Sequence, residues 1–271
     1  MLSDTNARLA AARRLTRRQG RREAGRFLAE GAQAVREALR LPDVVVEMYV
    51  SADAGPRHRD IVGTAQSAGI RVDEISAKAA AALSETVHPQ GLVAVCRNVD
   101  VPLTVALERR PRLAVALVEP NDPGNAGTIL RTADAAGAGA VIFAGDGVDP
   151  YNGKAVRASA GSLFHLDVVA AHPVLDVLAA ARTSGYAVLA TSGAGSAHLF
   201  GTDLSRPTVW LFGNEAHGLP PDVLAAADRS VSVPIYGRAE SLNLAAAAAV
   251  CLYASARAQR SGALAPVRLQ A

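Results

Sequence analysis

Apolar and polar positions along this chain fall into two successive series of strand- and helix-length segments. In the first, residues 44–50 read as a strand, 57–68 as a helix, 70–72 as a short strand, 77–83 as a helix and 92–95 as a strand. That makes a small α/β unit ending near residue 96. Residues 97–112 carry Pro102, Pro111 and the charged Glu108-Arg109-Arg110, and read as a linker around a short helical piece. The second series has apolar runs of strand length at 113–118, 140–143, 166–169, 187–190, 208–212 and 230–233. Helical patterns fall between them at 127–136, 154–160 and 174–182, and a long terminal helix spans 242–257. Near-continuous apolar strands alternating with helices predict a parallel sheet covered on both faces. The expected organisation is a unit over 1–96, a linker over 97–112 and a larger α/β domain over 113–271.

Composition leaves this picture standing and adds one feature. Half of the 271 residues are hydrophobic and a fifth are charged, the balance of a globular protein with a sizeable core. The net charge is +3 and lysine occurs only as Lys78 and Lys154. Arginine is concentrated at the start, as Arg8, Arg13, Arg14, Arg17, Arg18, Arg21, Arg22 and Arg26, interrupted by the single acid Glu23. On one helix the pairs at 13/14, 17/18 and 21/22 recur every four residues and share a face. Without acidic partners an intrahelical ladder of ion pairs does not account for them, so phosphate binding is expected. A solvated helix is the plainer alternative. Cys96 and Cys251 are too few for a disulfide framework or a four-ligand zinc site. No apolar leader core is visible, and the apolar stretch 242–256 falls short of the ~20 residues a membrane span needs. These features point to a cytoplasmic protein without a bound metal.

The common glycine-rich signatures fail. Gly153-Lys154 lacks the first glycine and the Ser/Thr of a phosphate loop. Gly193-Ala194-Gly195 approaches a dinucleotide fingerprint, but His198 takes the third glycine's place. Ser159, in Arg157-Ala158-Ser159-Ala160-Gly161, is not on a nucleophile elbow, and the six histidines show no metal-ligand spacing.

Three polar loops remain at strand ends, where open α/β sheets bind ligands. They are Glu119-Pro120-Asn121-Asp122-Pro123-Gly124-Asn125 running into Arg131, Gly213-Asn214-Glu215-Ala216-His217-Gly218-Leu219, and Val233-Pro234-Ile235-Tyr236-Gly237 continuing to Ser241-Leu242-Asn243. In order and distance they resemble the three motifs of the SpoU (TrmH-type) branch of the SPOUT RNA 2′-O-ribose methyltransferases. The stretch 154–164 resembles the segment between that family's first two motifs. Phe27-Leu28-Ala29-Glu30-Gly31 and Pro89-Gln90-Gly91-Leu92-Val93 resemble its RNA-substrate-binding domain.

The resemblance implies a C-terminal α/β domain with a deep trefoil knot, preceded by a small L30e-like α/β domain. It implies S-adenosylmethionine as cofactor, ribose 2′-hydroxyls as target (in 23S rRNA rather than tRNA), and a homodimer formed through the knotted domain. Carried over residue by residue, Arg131, Asn125, Glu215, Ser241 and Asn243 are the expected catalytic set. Thr191, Gly213, Asn214, Gly218, Val233, Ile235 and Leu242 are the expected cofactor contacts. Arg13, Arg14, Arg17, Arg18, Arg21, Arg22 and Arg26 are the expected RNA contacts. With a helix predicted from residue 127, Arg131 falls in its first turns and faces the strand-end crevice. An arginine is effectively always protonated, so positioning a ribose and phosphate suits it better than acting as a base. Two other readings stay open on the residues alone: an RNA-binding protein of the same fold without catalysis, and a nicotinamide enzyme using Gly193.

Overall fold

The computed structural model describes residues 1–86 and 88–260. The first part comprises α1 (Ala7–Arg14), α2 (Arg18–Ala24), β1 (Arg26–Glu30), α3 (Ala32–Leu39), β2 (Val45–Ser51), α4 (Arg59–Ser67), β3 (Arg71–Ile75), α5 (Ala77–Ala82) and β4 (Leu92–Arg97). Its sheet has the order β1-β4-β2-β3, antiparallel except for the β2–β3 pair. Strand β1 and helix α3 are absent from the sequence-derived elements, because a strand of five residues beside an arginine run shows little periodicity.

The arginine run is two short helices rather than one. Leu9, Ala12 and Leu15 are buried against the outer face of the sheet, with Leu28, Tyr49, Val93 and Val95. Helix α1 ends at Arg14, the chain turns, and α2 starts anew at Arg18. The shared cationic face predicted from a single helix is therefore broken.

The second part begins with α6 (Leu103–Glu108) and continues through β5 (Leu113–Val118), α7 (Pro123–Ala136), β6 (Ala140–Ala144), α8 (Gly153–Ala158), β7 (Asp167–His172), α9 (Val174–Thr183), β8 (Ala187–Thr191), β9 (Ala197–His198), β10 (Thr208–Phe212), α10 (Pro221–Ala226), β11 (Arg229–Ser232) and α11 (Leu244–Gln259). Its seven strands are all parallel, in the order β7-β6-β5-β10-β8-β11-β9. Every residue of β5, β6 and β10 is buried, which explains their unbroken apolar runs. Successive side chains serve opposite faces: Leu113, Val115 and Leu117 join the core under α7 and α11, whereas Ala114, Ala116 and Val118 join the core under α6 and α9. The last helix is fastened where the Trp210 Nε1–H donates to Ser255 Oγ at 2.8 Å inside the core.

The two parts share one hydrophobic cluster. Phe27 of β1 packs on Tyr151 with ring centroids 4.6 Å apart and on Phe164 at 6.0 Å. The predicted linker is itself packed, with Leu103, Ala106 and Leu107 of α6 buried and the Val101 N–H bonded to Val168 O. Helices α7 and α8 approach closely at Gly127, where an added Cβ would lie 2.3 Å from Ala155 O. Among the described residues no helix is long and apolar enough to cross a membrane.

Candidate active site

Strand β5 pairs with β6 on one side and β10 on the other, so the chain leaves this point in both directions across the sheet. Such a switch point opens a crevice at the strands' carboxyl ends. The three polar loops line it, around a cleft of about 990 Å³, the upper end of the small-molecule range.

The first loop is shaped by its helix start. Asp122 is the N-cap of α7, its Oδ1 accepting from Gly124 N at 2.7 Å, and Pro123 occupies the first helical position. This places the helix start four residues earlier than periodicity suggested. Asn125 lies in the first turn, and its side chain reaches both other loops. Its Nδ2 donates to Glu215 Oε1 at 3.0 Å, and its Oδ1 accepts from Asn243 Nδ2 at 3.0 Å. Glu215 also accepts from the Asn121 N–H at 2.9 Å and the Asp122 N–H at 3.1 Å. Burial alone would raise the Glu215 carboxyl, but hydrogen bonds from Asn125 and from backbone amides hold it below its ordinary value. Both its oxygens are committed to the protein, so it acts as an anionic tie between two loops rather than as a proton acceptor. Asn243 caps α11 through the Ala245 and Ala246 amides while its Nδ2 bonds Asn125, so the capping and site roles coincide.

The second loop closes on itself. Asn214 N bonds Gly218 O and Gly218 N bonds Asn214 O, with Gly218 at φ +70. Asn214 Nδ2 anchors this loop to Glu119 O. The expected cofactor contacts Thr191, Gly213, Asn214, Gly218, Val233, Ile235 and Leu242 all line the cleft. So do Asn125, Glu215, Ser241 and Asn243.

Arg131 does not. With α7 starting at Pro123, it sits in the third turn, about 12 Å along the axis from the first residue. It is exposed on the face that carries Thr128, and its side chain makes no hydrogen bond or ion pair to another described residue. Within one chain Glu215 and Asn243 bond Asn125 rather than Arg131. The arginine run also divides. Arg14, Arg17, Arg18 and Arg22 are exposed and Arg13 and Arg26 half-buried, but Arg21 is buried. Arg21 bonds Asp149 Oδ2 at 2.7 Å through Nε, and the carbonyls of Leu15 and Thr16 through Nη1. A buried guanidinium needs this pairing, and at 4% exposure Arg21 is turned into the protein rather than toward a phosphate.

Sequence reasoning passed over several lining residues. Asp122 lines the cleft and pairs at 2.7 Å with Lys154, which does not, and Asp122-Pro123 was the helix-cap signal that could have located Asp122. His198 Nδ1 meets Ser232 Oγ at 3.1 Å through the β9–β11 pairing, for which no local pattern exists. Gly193 lines the cleft, but the chain beyond it enters the two-residue β9 rather than a helix, so the dinucleotide arrangement is missing. Among the described residues no group of three or more His, Cys, Asp or Glu is placed to hold a metal ion.

The cleft fits a nucleoside carrying a sulfonium. Leu219, Val231 and Leu244 offer apolar surface, backbone groups of the second and third loops offer edge contacts, and Glu215 supplies negative charge. Comparison with known proteins agrees. Residues 112–253 match the SpoU rRNA Methylase family, and residues 28–102 match the RNA 2′-O ribose methyltransferase substrate-binding domain. The chain is 34% identical over 253 residues to 23S rRNA (guanosine(2553)-2′-O)-methyltransferase RlmP of Bacillus subtilis, covering 93% of this chain and 96% of that one. An AdoMet-bound rRNA methyltransferase from Sinorhizobium meliloti superposes with a TM-score of 0.84 at 34% identity, covering 95% and 96% of the two chains. The SpoU methyltransferase AviRb from Streptomyces viridochromogenes, in complex with AdoMet, gives 0.82 at 32% identity over 95% and 100%.

Proposed function

This chain belongs to the SpoU rRNA methylase family, and from that membership we propose the activity its cleft supports: transfer of the S-adenosylmethionine methyl group to a ribose 2′-hydroxyl of 23S rRNA. The observation that carries this reading is the Glu215–Asn125–Asn243 network, which ties all three loops together at the switch point. When bound, S-adenosylmethionine supplies an electrophilic methyl group on a positively charged sulfur. Thr191, Gly213, Asn214, Gly218, Val233, Ile235 and Leu242 form the wall that holds it, and Glu215 balances its charge. Asn125, Asn243 and Ser241 present polar groups at the mouth of the cleft, where the ribose is oriented. Arg131, a donor only, grips the phosphate next to that ribose.

Residues 1–96 form the RNA-binding unit, with Arg14, Arg17, Arg18 and Arg22 turned to the phosphates and Arg13 and Arg26 at their margin. Residues 97–112 join it to the methyltransferase domain over 113–271, of which 261–271 lie outside the described residues. The C-terminal domain is a trefoil knot and the protein works in the cytoplasm. In support of the knot, the chain leaves β11 next to the edge strand β9 and returns toward the middle of the sheet, where α11 packs on α7, β10 and β5.

The protein acts as a homodimer. Exposed Val250 and Tyr253 stand on α11 at helical spacing with Ala246, near exposed Leu242 and Ile235. A second copy seated there covers this apolar stripe and carries Arg131 to the partner's cleft, which answers why Arg131 is outside its own. Tyr253→Asp is expected to convert the dimer to monomer in sedimentation analysis and to reduce methyl transfer in parallel. A dimeric Tyr253→Asp protein with full activity would place the interface elsewhere.

Methyl transfer from labelled S-adenosylmethionine to separated RNA classes tests the activity. Label in large-subunit rRNA, at one ribose resistant to alkaline cleavage, is the expected result. Label in tRNA would move the substrate. No transfer to any RNA together with no cofactor binding would favour an RNA-binding protein of the same fold.

A further inference from the structure

Glu30 ends β1 in the first part of the chain, and its side chain is only 4% exposed. Its carboxylate accepts from Ser84 Oγ at 2.7 and 2.8 Å, from the Gln90 N–H at 3.4 Å, and from Arg157 Nη1 at 3.2 Å. Glu30 and Gln90 belong to the two stretches that suggested a substrate-binding domain, and the Gln90 contact joins those stretches. Arg157 comes from the other part of the molecule, on α8. A buried carboxylate is tolerated when charge and hydrogen bonds surround it, and here the balancing charge is supplied across the junction of the two parts.

Helix α8 carries a second cation three residues earlier, at a spacing that puts both on neighbouring positions of one face. Lys154 Nζ pairs with Asp122 Oδ1 at 2.7 Å, and Asp122 caps α7 and donates its N–H to Glu215. The same short helix therefore touches the substrate-binding unit with Arg157 and the first catalytic loop with Lys154. It has little freedom to slide, because Gly127 of α7 lies against the backbone at Ala155, with an added Cβ 2.6 Å from Ala158 Cβ. Two polar clusters, Ser84–Glu30–Arg157 and Lys154–Asp122–Glu215–Asn125, are thus joined through one turn of α8.

We propose that Glu30 and Arg157 are positioning residues, a joint through which α8 holds the substrate-binding domain in register with the Asn121–Asn125 loop, so that RNA seated on the first part presents one particular ribose to the cleft. The proposal rests on the methyltransferase reading above. Neither residue touches the cofactor cleft. Their effect is on where the RNA arrives relative to the reacting atoms, which is where small displacements are amplified.

Arg157→Gln removes the charge and keeps a hydrogen-bonding side chain of shorter reach. With full-length protein and saturating rRNA, its single-turnover transfer rate should fall about 100-fold, the scale of a misplacement of about 1 Å. Cofactor affinity should be unchanged, and the remaining methyl groups should spread to riboses beside the wild-type one. Arg157→Lys should restore most of the rate. Arg36→Gln, which removes an exposed ion pair with Asp60 on the same unit, should behave as wild type. Hydrogen exchange of the amides of residues 121–125 should quicken in Arg157→Gln alone. A wild-type rate overturns the joint, as does a rate loss matched by lost cofactor binding and not rescued by lysine, which marks a folding defect. If the wild-type protein methylates no RNA, the activity reading fails separately. The exchange measurement then decides the joint on its own: faster exchange upholds it and unchanged exchange overturns it.

Discussion

Arg131→Ala is expected to lower methyl transfer by about 10²- to 10³-fold, the usual effect of removing a charged group that organises the reacting atoms, while leaving cofactor affinity intact. Two structural facts set this expectation apart from an ordinary surface substitution. The guanidinium is exposed and has no partner among the described residues, so its loss strands no buried charge and leaves stability within the narrow range of surface changes. It also lies off the cleft of its own chain, so cofactor binding has no reason to suffer. Arg131→Lys should rescue poorly, because a point charge does not reproduce a planar fork of donors. If the arginine serves the partner's cleft, Arg131→Ala mixed with a variant whose own cleft is broken, such as Gly213→Ala, should regain about a quarter of wild-type activity in statistically formed dimers, since an isologous pair then holds one complete site. No recovery on mixing would place Arg131 in its own chain's reaction, and a wild-type rate for Arg131→Ala alone would remove it from the site.

The helix start shows how far the sequence carried this argument. Apolar periodicity located α7 but began it at residue 127, since Pro123, Gly124 and Asn125 add nothing to an apolar stripe. The capping pair Asp122-Pro123 held the missing information, and using it would have moved Arg131 from the second turn to the third. The central strands were readable because both their faces are buried, which makes the apolar run continuous. Strand β9 was not, since two residues cannot display a period. Arg21 illustrates a different limit. Nothing local separates it from Arg17, Arg18 or Arg22; its burial follows from Asp149, 128 positions away. For the same reason the packing of Phe27 on Tyr151 and Phe164, which joins the two units, was not legible in the sequence. Motif residues of the site were legible as a set, but their bonds were not: nothing local shows that Glu215 and Asn243 meet on Asn125.

Gly213→Ala is expected to abolish measurable cofactor binding, and with it methyl transfer, by opening the second loop. Gly213 is buried at the end of β10, directly opposite the point where the loop closes. A Cβ there would lie 2.3 Å from the Gly218 carbonyl carbon, 2.5 Å from its oxygen and 2.5 Å from Leu219 N. All three are backbone atoms, so no side chain can rotate away, and the overlap must be relieved by moving one limb of the loop. The reciprocal Asn214–Gly218 bonds would part, and Glu215, two residues on, would be drawn away from the Asn121 and Asp122 amides and Asn125. Overpacking of this kind costs about 1–3 kcal/mol in stability, enough to lower the melting temperature without unfolding a core of this size. The loss at the cleft is larger than that figure suggests, because wall and catalytic tie are displaced together, and a cofactor affinity at least about 100-fold weaker follows from a displacement near 1 Å in a preorganised site. Gly63→Ala, where an added Cβ meets nothing within 4 Å, controls for the glycine change itself and should bind cofactor as wild type does. Calorimetric titration with S-adenosylmethionine reads both variants: wild-type affinity in Gly213→Ala would show that the second loop does not bound the cofactor site, whereas loss confined to Gly213→Ala ties binding to the close approach of Gly213 and Gly218.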